Sequence, residues 1–315
     1  MVTFLQMKGD NMETQLATIN TDNYEVMADA MVMGTQVSSD MTLSIPRMKI
    51  SHQPIMDTIE TKGKKRQMEV VPGGTFSIVD NSGKTFYCEG ITFRPFLQRF
   101  RYTRWIPFNA PDKYGKKGKF IKSIFVTQDE FKSSDLMDDD GGFNCGRPSG
   151  YIPDWKALPE ATQRLIYSVK RVRALFGIAS SKETMNEKGE VDNTKITMPV
   201  IWEINNKDAF KVMGESIDKY ISAKRLLPEH ELVISTEGTS MPNGNMVYKP
   251  VPTIDLTKKI DISSDDQEAF STFVEWVDGQ NSYITKKYKE KSATNSFSND
   301  DDRVIEEFID VIEDV

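Results

Sequence analysis

Residues 91–108 read ITFRPFLQRFRYTRWIPF, and this stretch decides the fold that the sequence predicts. It is rich in aromatic and β-branched residues, which are typical of β-strands. We interpret residues 84–97 (KTFYCEGITFRPFL) as one strand and residues 99–108 (RFRYTRWIPF) as the next. On an extended RFRYTRW, side chains alternate between two faces, so Arg99, Arg101 and Trp105 share one face. Phe100, Tyr102 and Arg104 then share the other.

Further strands and two helices are predicted on either side of this stretch. Residues 43–52, interrupted by Pro46, predict an edge strand. Residues 164–180 fit both a helix and a strand, and we favour a strand that returns through 197–205 as a long hairpin. Residues 231–238 and 245–256 predict a second hairpin. The helices are predicted over Asp208–Arg225 and from Ser264, where serine and two aspartates suit a helix start.

These elements predict a mainly β (α+β) protein of 315 residues. Short antiparallel strands and long loops favour an OB-like antiparallel barrel with long loop insertions, although a sandwich fits the same pattern. We expect three regions: a flexible acidic segment over 1–40, a β-rich core over 41–290, and a linker with a disordered acidic C-terminal tail over 291–315. Residues 133–155 predict a long, mobile Gly/Asp-rich loop.

The net charge of −7 is distributed unevenly along the chain. Residues 299–315 carry eight acids and one arginine, and residues 1–46 carry six acids and one lysine. Residues 62–122 carry fourteen lysines and arginines against four acids, a net charge of +10 in 61 residues. Self-repulsion on this scale favours a polyanionic partner over a merely solvated surface.

Aromatic residues are interleaved with these cations, which is the combination that single-stranded nucleic acid requires. Cations meet the phosphates, and each base stacked on a ring contributes about 1–3 kcal/mol without regard to sequence. Arginine suits such a surface because its planar guanidinium binds phosphate and also stacks on rings. The alternative is that the rings form a core and the arginines a solvated face, and we expect about half of the rings to be core.

The predicted nucleic-acid contacts lie on the strand, on flanking basic loops and on the later hairpin. They are Arg94, Arg99, Arg101, Tyr102, Arg104 and Trp105 on the strand, Lys62, Lys64, Lys65, Arg66, Lys116, Lys117 and Lys119 on the loops, and Arg171 and Arg173 on the hairpin. Arg164 and Lys170 extend the hairpin set.

The C-terminal tail predicts a partner-binding helix that folds on contact. Its apolar residues recur at three-four spacing with acids between them, so a helix would have one apolar stripe and one acidic face. The predicted partner contacts are Phe308, Ile309, Ile312, Val315, Asp300, Asp301 and Asp302. The alternatives are a solubilising acidic end and a helix that packs on the body of the protein. We also expect the tail to compete with nucleic acid for the basic surface.

This layout resembles that of the phage single-stranded DNA-binding proteins. The resemblance rests on the basic-aromatic stretch ITFRPFLQRFRYTRW, the linker SATNSFSN and the terminus DDDRVIEEFIDVIEDV, and it covers 62–122 and 290–315. It implies an OB fold, coating of single strands during DNA replication, recombination and repair, and recruitment of replication proteins by the tail. Two departures concern the ends and the metal: residues 1–46 are acidic rather than a basic arm, and GGFNCGRP holds one cysteine, too few for the structural zinc of some relatives.

No motif predicts an enzyme or a cofactor. SGKT at 82–85 lacks the first glycine of a phosphate-binding loop, and DDD at 138–140 reads as a solvated turn rather than a two-metal nuclease site. Cys88 and Cys145 with His52 and His230 form no local catalytic or zinc signature. Two further functions remain open: a virion structural or assembly protein, and a replication accessory factor acting mainly through protein contacts.

The expected location is the cytoplasm, or the host cytoplasm for a phage protein. Two cysteines cannot form a disulfide framework, and the first residues lack the basic patch and apolar core of a signal peptide. No run of 18 apolar residues predicts a membrane span. The expected partners are single-stranded DNA, replication and recombination proteins, and a second copy of the chain in a homo-oligomer.

Overall fold

The computed structural model of the protein describes residues 44–61, 64–107, 118–128, 134–150, 152–193, 195–242 and 244–310. The predicted acidic segment over 1–40 lies outside these residues. More of the described residues are in strands than in helices, which confirms the mainly β prediction.

The described elements are thirteen strands and three α-helices. The strands are β1 Arg47–Ile50, β2 Ile55–Thr61, β3 Lys64–Val71, β4 Phe76–Val79, β5 Thr85–Cys88, β6 Ile91–Ile106, β7 Lys119–Lys122, β8 Val169–Ser181, β9 Thr184–Met185, β10 Val191–Asp192, β11 Ile196–Ile204, β12 Leu232–Ser240 and β13 Met246–Ile254. The helices are α1 Glu160–Ser168, α2 Lys207–Ser222 and α3 Ser264–Asp310.

Eleven of these strands form one mixed sheet. Ten follow the order β10-β9-β5-β4-β1-β11-β8-β6-β12-β13. The eleventh, β7, pairs with the C-terminal end of β6, whereas β12 pairs with its N-terminal end. The pair β1–β11 is parallel, and the other pairs are antiparallel. No ladder in the described residues joins β10 to β13, so the sheet is open and the predicted closed barrel is not confirmed. Strands β2 and β3 form a separate hairpin.

Residues 91–106, ITFRPFLQRFRYTRWI, form the sixteen-residue strand β6 near the middle of the sheet. It pairs with β8 from Thr92 opposite Ser180 to Arg104 opposite Val169, with a register shift between Pro95 and Leu97. The break before β6 falls at Glu89 and Gly90, whereas the sequence predicted a division at Gln98. Pro95 has no backbone N–H to donate to the ladder. The register shift that follows it is a bulge, and this bulge allows the strand to continue.

The sheet is covered by a helix on each face. On β8, Leu175 and Ala179 pack in one core with residues of α2, whereas Ala174 and Phe176 pack with Phe273 and Trp276 of α3. Successive strand residues point to opposite faces, so α2 and α3 lie on opposite sides. We call these the α2 face and the α3 face.

Both predicted helices form, and their starts are fixed by side-chain caps. The Asn206 side chain accepts hydrogen bonds from the backbone N–H groups of Asp208 and Ala209 at the start of α2. At α3, Ser263 and Asp266 each accept a hydrogen bond from the other's backbone N–H, at 3.2 and 2.8 Å. The cap is therefore Ser263, one residue before the predicted Ser264.

Two predictions about strands need correction. The edge-strand assignment of residues 43–52 is wrong, because β1 lies between β4 and β11. Pro46 precedes β1, so its missing N–H falls outside the ladder. Residues 164–180 are divided, with α1 ending at Ser168 and β8 starting at Val169, so each of the two competing patterns was correct for one part.

The C-terminal region differs from the predicted disordered tail. Helix α3 spans 47 residues and continues to Asp310 through the serine- and asparagine-rich stretch that was expected to be a linker. Residues 264–310 contain one glycine and no proline, so no strong helix breaker interrupts the run. At 1.5 Å per residue the helix is about 70 Å long.

An ion pair joins β6 to the first turn of α3, and its removal is the first test of the fold. The guanidinium of Arg94 donates to both carboxylate oxygens of Asp266, at 2.8 and 3.0 Å, and both side chains are largely buried. We expect Arg94→Ala to lower the free energy of unfolding by about 3 kcal/mol in urea titrations, because it leaves a buried carboxylate unpaired.

The control is Arg164→Ala, which removes an exposed pair with Glu160 and should change stability by less than about 0.5 kcal/mol. Equal, small effects for the two variants would contradict the structural role of Arg94.

Candidate nucleic-acid interface

Strand β6 divides its arginines between the two faces of the sheet. Arg94, Arg99 and Arg101 lie on the α3 face, opposite Ile178, Ala174 and Val172 of β8. Arg104 lies on the α2 face with Phe100 and Tyr102, as the alternation predicted. The predicted contact set therefore does not form one continuous surface.

Several predicted contacts are buried and serve the core. Arg101 and Tyr102 are each 1% exposed, and Arg173 is also buried. The Arg173 guanidinium donates to the side chain of Gln98 and lies 4.9 and 4.5 Å from the ring centroids of Phe100 and Phe210. These three side chains are not available to a nucleic acid in this structure.

Two more predicted arginines are committed to the fold. Besides its pair with Asp266, Arg94 donates from Nε to the carbonyl oxygen of Pro228 at 2.6 Å. Arg99 donates to the carbonyl oxygen of Gln98, and burial lowers its pKa, an effect that Asp278 partly offsets. The alternative prediction, that the arginines form a solvated face, therefore does not describe these two side chains either.

The C-terminal end of β6 is different, because its indole ring is exposed. Trp105 is 55% exposed and stands directly opposite Phe120 of β7, which is 46% exposed. Their ring centroids lie 6.4 Å apart. A side chain at Gly118 would collide with the indole, at 2.3 Å, so glycine lets the chain pass beside it. We call Trp105 and Phe120 the aromatic platform.

Cations flank the aromatic platform on the same face of the sheet. Thr103 of β6 lies opposite Lys122 of β7 on one side and opposite Lys170 of β8 on the other. Trp105 lies two residues after Thr103 on β6. Because side chains two residues apart share a face, both lysines lie on the platform's side of their strands. The ammonium of Lys122 lies 5.3 Å from the Phe120 ring centroid.

The sequence missed two members of this site. Phe120 is one of the aromatic residues of 62–122 but not a predicted contact, and Lys122 contributes only to the charge count of that region. Only the pairing of β7 with β6 brings these two side chains to Trp105. The KFIK pattern at 119–122 carried the signal, since its alternation places Phe120 and Lys122 on one face.

The remaining predicted cations lie at several places. Lys65 and Arg66 are exposed on the separate β2–β3 hairpin, and Lys64 begins its second strand. Lys119 forms an ion pair with Asp140. Arg171 is exposed and its guanidinium lies 5.2 Å from the Phe210 ring centroid. Lys62, Lys116 and Lys117 fall outside the described residues.

The three aspartates at 138–140, which were considered as a two-metal nuclease site, hold their own loop together through hydrogen bonds and ion pairs. Asp138 is buried and accepts hydrogen bonds from the backbone N–H groups of Asp140, Gly142 and Cys145, at 2.9–3.0 Å. Asp139 accepts from the backbone N–H of Lys122, and Asp140 pairs with Lys119 and Lys291. The described part of residues 133–155 is thus held by many internal hydrogen bonds.

The two cysteines are buried and the groups around them do not activate them. Burial raises the pKa of Cys88, and burial with the nearby Asp138 and Asp139 strongly raises the pKa of Cys145. Thiols in this state are poor nucleophiles. Among the described residues, no three histidine, cysteine, aspartate or glutamate side chains come together to hold a metal ion.

The predicted partner contacts of the tail are only partly described. The backbone of Asp300, Asp301, Asp302, Phe308 and Ile309 belongs to α3. Ile312 and Val315 lie outside the described residues. None of the helices in the described ranges is both long and apolar enough to cross a membrane.

Comparison with known proteins identifies no relative. No protein-family model matches the chain. No curated protein matches it, and no solved structure does. The candidate interface therefore rests on the geometry of this chain alone.

The structure separates two neighbouring rings that the sequence treated alike. We expect Tyr102→Ala to lower the free energy of unfolding by about 3–5 kcal/mol, because it empties a site in the core. Trp105→Ala should cost much less, since over half of the indole is already exposed. Urea unfolding of both variants measures the difference, and similar losses would show that Trp105 is also a packing residue.

Proposed function

We propose that this protein binds and protects single-stranded DNA during replication and recombination without strong sequence specificity. The observation that carries the proposal is the aromatic platform of Trp105 and Phe120, which is exposed beside Lys122 and Lys170 on one face of the sheet. Large exposed rings bordered by cations are what a single strand requires, because its bases stack and its phosphates seek positive charge.

The platform explains why the binding would tolerate any sequence. Every base has a flat π face, so stacking on Trp105 or Phe120 does not depend on its hydrogen-bonding edge. The two rings stand on adjacent strands, whose backbones lie about 4.8 Å apart. Successive bases of one strand would stack on or beside them while lysines neutralise the backbone.

Basic residues elsewhere in the chain support the same function. The sequence between β6 and β7 contains Lys113, Lys116 and Lys117, and the sequence that joins β2 to β3 contains Lys62. Lys64, Lys65 and Arg66 follow on β3. An OB barrel is not required for this proposal, since an open sheet presents a stacking surface equally well.

The stretch from Asp300 onward is the proposed docking site for replication and recombination proteins. Lys291 of α3 donates to the carboxylate of Asp140, which also pairs with Lys119, the neighbour of Phe120. Asp300 lies nine residues beyond Lys291, about 14 Å further along the helix axis. We propose that the negative charge of the acidic stretch that starts there competes with DNA for the basic surface.

The decisive test of binding is intrinsic fluorescence titrated with oligo(dT). Stacking on Trp105 should quench its emission, and Trp105→Ala should weaken binding by about 1–3 kcal/mol, or roughly 5- to 150-fold. The matched control is Phe270→Ala, which removes another exposed ring, on α3 near its start. The control should bind like the natural protein.

Affinity that Trp105→Ala leaves unchanged, measured by filter binding, would contradict the platform. No binding of oligo(dT) by the natural protein, at salt low enough to favour phosphate contacts, would overturn the function itself.

Deletion of residues 299–315 tests the proposed role of the tail. Because the segment carries net charge −7, its removal should tighten oligo(dT) binding, most strongly at low salt. Charge-reversed aspartates would reproduce the effect, whereas a deletion that leaves affinity unchanged at every salt concentration would rule out competition.

One observation favours a second candidate, a virion structural or assembly protein. Met56 and Met68 are exposed on the β2–β3 hairpin, which the large sheet does not cover. Exposed apolar side chains on a separate hairpin suit contact with another protein chain. Formation of particles without affinity for DNA would favour this candidate over the first.

A further inference from the structure

A cluster of three cations surrounds a single glutamate on the α3 face. Arg101 donates to Oε1 of Glu203, and Nη1 of Arg47 donates to Oε2 at 2.9 Å. The positive charge of Lys122 also acts on Glu203 and on Arg101. We call Arg47, Arg101, Lys122 and Glu203 the cationic cluster.

The buried member of the cluster has unused hydrogen-bonding capacity. Arg101 is 1% exposed, and its Nε and Nη1 find no acceptor within the described part of the chain. Its guanidinium lies 4.2 Å from the ring centroid of Phe125. Buried guanidinium groups normally use all their donors, so Arg101 keeps two unsatisfied donors beside its ion pair with Glu203.

Two acids offset only part of the cluster's positive charge, because Arg47, Arg101 and Lys122 face Glu203 and Asp139. Asp139 acts on Lys122 through its charge and also accepts a hydrogen bond from its backbone N–H. Burial, together with the repulsion of Arg101, lowers the pKa of Lys122. Burial works to raise the pKa of Glu203, yet the three cations outweigh it and hold that pKa below its usual value. The same cations, Arg47 and Arg101, act on both Lys122 and Glu203, which places the four side chains near one another.

The cluster opens to solvent at two of its members. Arg47 is 53% exposed on β1, and Lys122 is partly exposed on β7. Lys122 stands two residues from Phe120, a separation of about 7 Å along the strand. An anion that reached Lys122 would therefore lie one pleat from the aromatic platform.

We infer that the mouth of the cationic cluster between Arg47 and Lys122 is a phosphate-binding subsite that holds a phosphodiester of the bound strand. This inference rests on the proposed function and adds to it the place where the backbone is held. Arg47 and Lys122 would contact the phosphate oxygens, whereas Arg101 acts through its charge from beneath. Glu203 is the resident anion that orients Arg101 and Arg47 when DNA is absent.

Two kinds of substitution, which remove a positive or a negative charge and should have opposite effects on DNA binding, distinguish this subsite from a structural cluster. Removing a cation that contacts a phosphate should reduce the salt dependence of binding by about 0.7 log unit per log unit of salt. We therefore expect a shallower slope for Arg47→Gln and for Lys122→Gln. Glu203→Gln removes a competing negative charge and should tighten binding. A purely structural cluster would not yield changes of opposite sign.

The experiment measures oligo(dT) affinity by filter binding from low to high salt for each variant. The matched control is Lys249→Gln, which removes an exposed cation that pairs with Glu237 on the β12–β13 hairpin. It should keep the natural slope. Because Glu203→Gln leaves Arg101 without its partner, urea unfolding checks that this variant is folded, and the exposed Arg47 provides the test that does not depend on it.

Three outcomes decide the inference. Shallower slopes for Arg47→Gln and Lys122→Gln, with an unchanged control, support the subsite. Natural slopes for both variants, while Trp105→Ala still weakens binding, overturn the subsite and leave the proposed function standing. Failure of the natural protein to bind oligo(dT) overturns both.

Discussion

Strand β6 can lie inside a sheet that is covered on both faces only because its buried arginines have partners. An unpaired guanidinium in a protein interior costs several kcal/mol, so each one must find an acid, a carbonyl or a ring. Those partners come from different layers: Asp266 from the first turn of α3 and Glu203 from β11. On the neighbouring strand β8, the guanidinium of Arg173 lies 4.5 Å from the ring centroid of Phe210 of α2. Contacts of the buried arginines on β6 and β8 therefore tie both helices to the sheet.

The sequence predicted the alternation along β6 but not which side chains would be covered. Two-residue periodicity placed Arg99 and Arg101 on one face and Tyr102 on the other, and the structure agrees. The charge count over 62–122 treated every arginine as an unpaired positive charge, because the acids that pair with them lie outside that range. Asp266 is 172 residues from Arg94, and Glu203 is 102 residues from Arg101. Local patterns carry no information on such distant pairs, nor on which strands close or fail to close a sheet.

Coverage stops at the C-terminal end of β6, and the candidate interface lies there. Toward Trp105, β6 is flanked only by the short β7 and the start of β8, and large rings reach solvent. Within the described part of the chain neither Lys122 nor Lys170 forms an ion pair, and the ammonium of Lys170 donates to the carbonyl oxygen of Tyr167 at 3.2 Å. The sequence predicted a contact surface made of a row of arginines on β6. The candidate surface in the structure is smaller and consists of two exposed rings with the adjacent lysines.

Photocrosslinking of oligo(dT) that contains 5-iododeoxyuridine, followed by mass spectrometry of the crosslinked peptides, tests this account most directly. Aromatic side chains stacked on the modified base are in position to form adducts. The account predicts adducts at Trp105 and Phe120, reduced by competing unmodified oligo(dT). Adducts confined to other parts of the chain, with none at either ring, would contradict it.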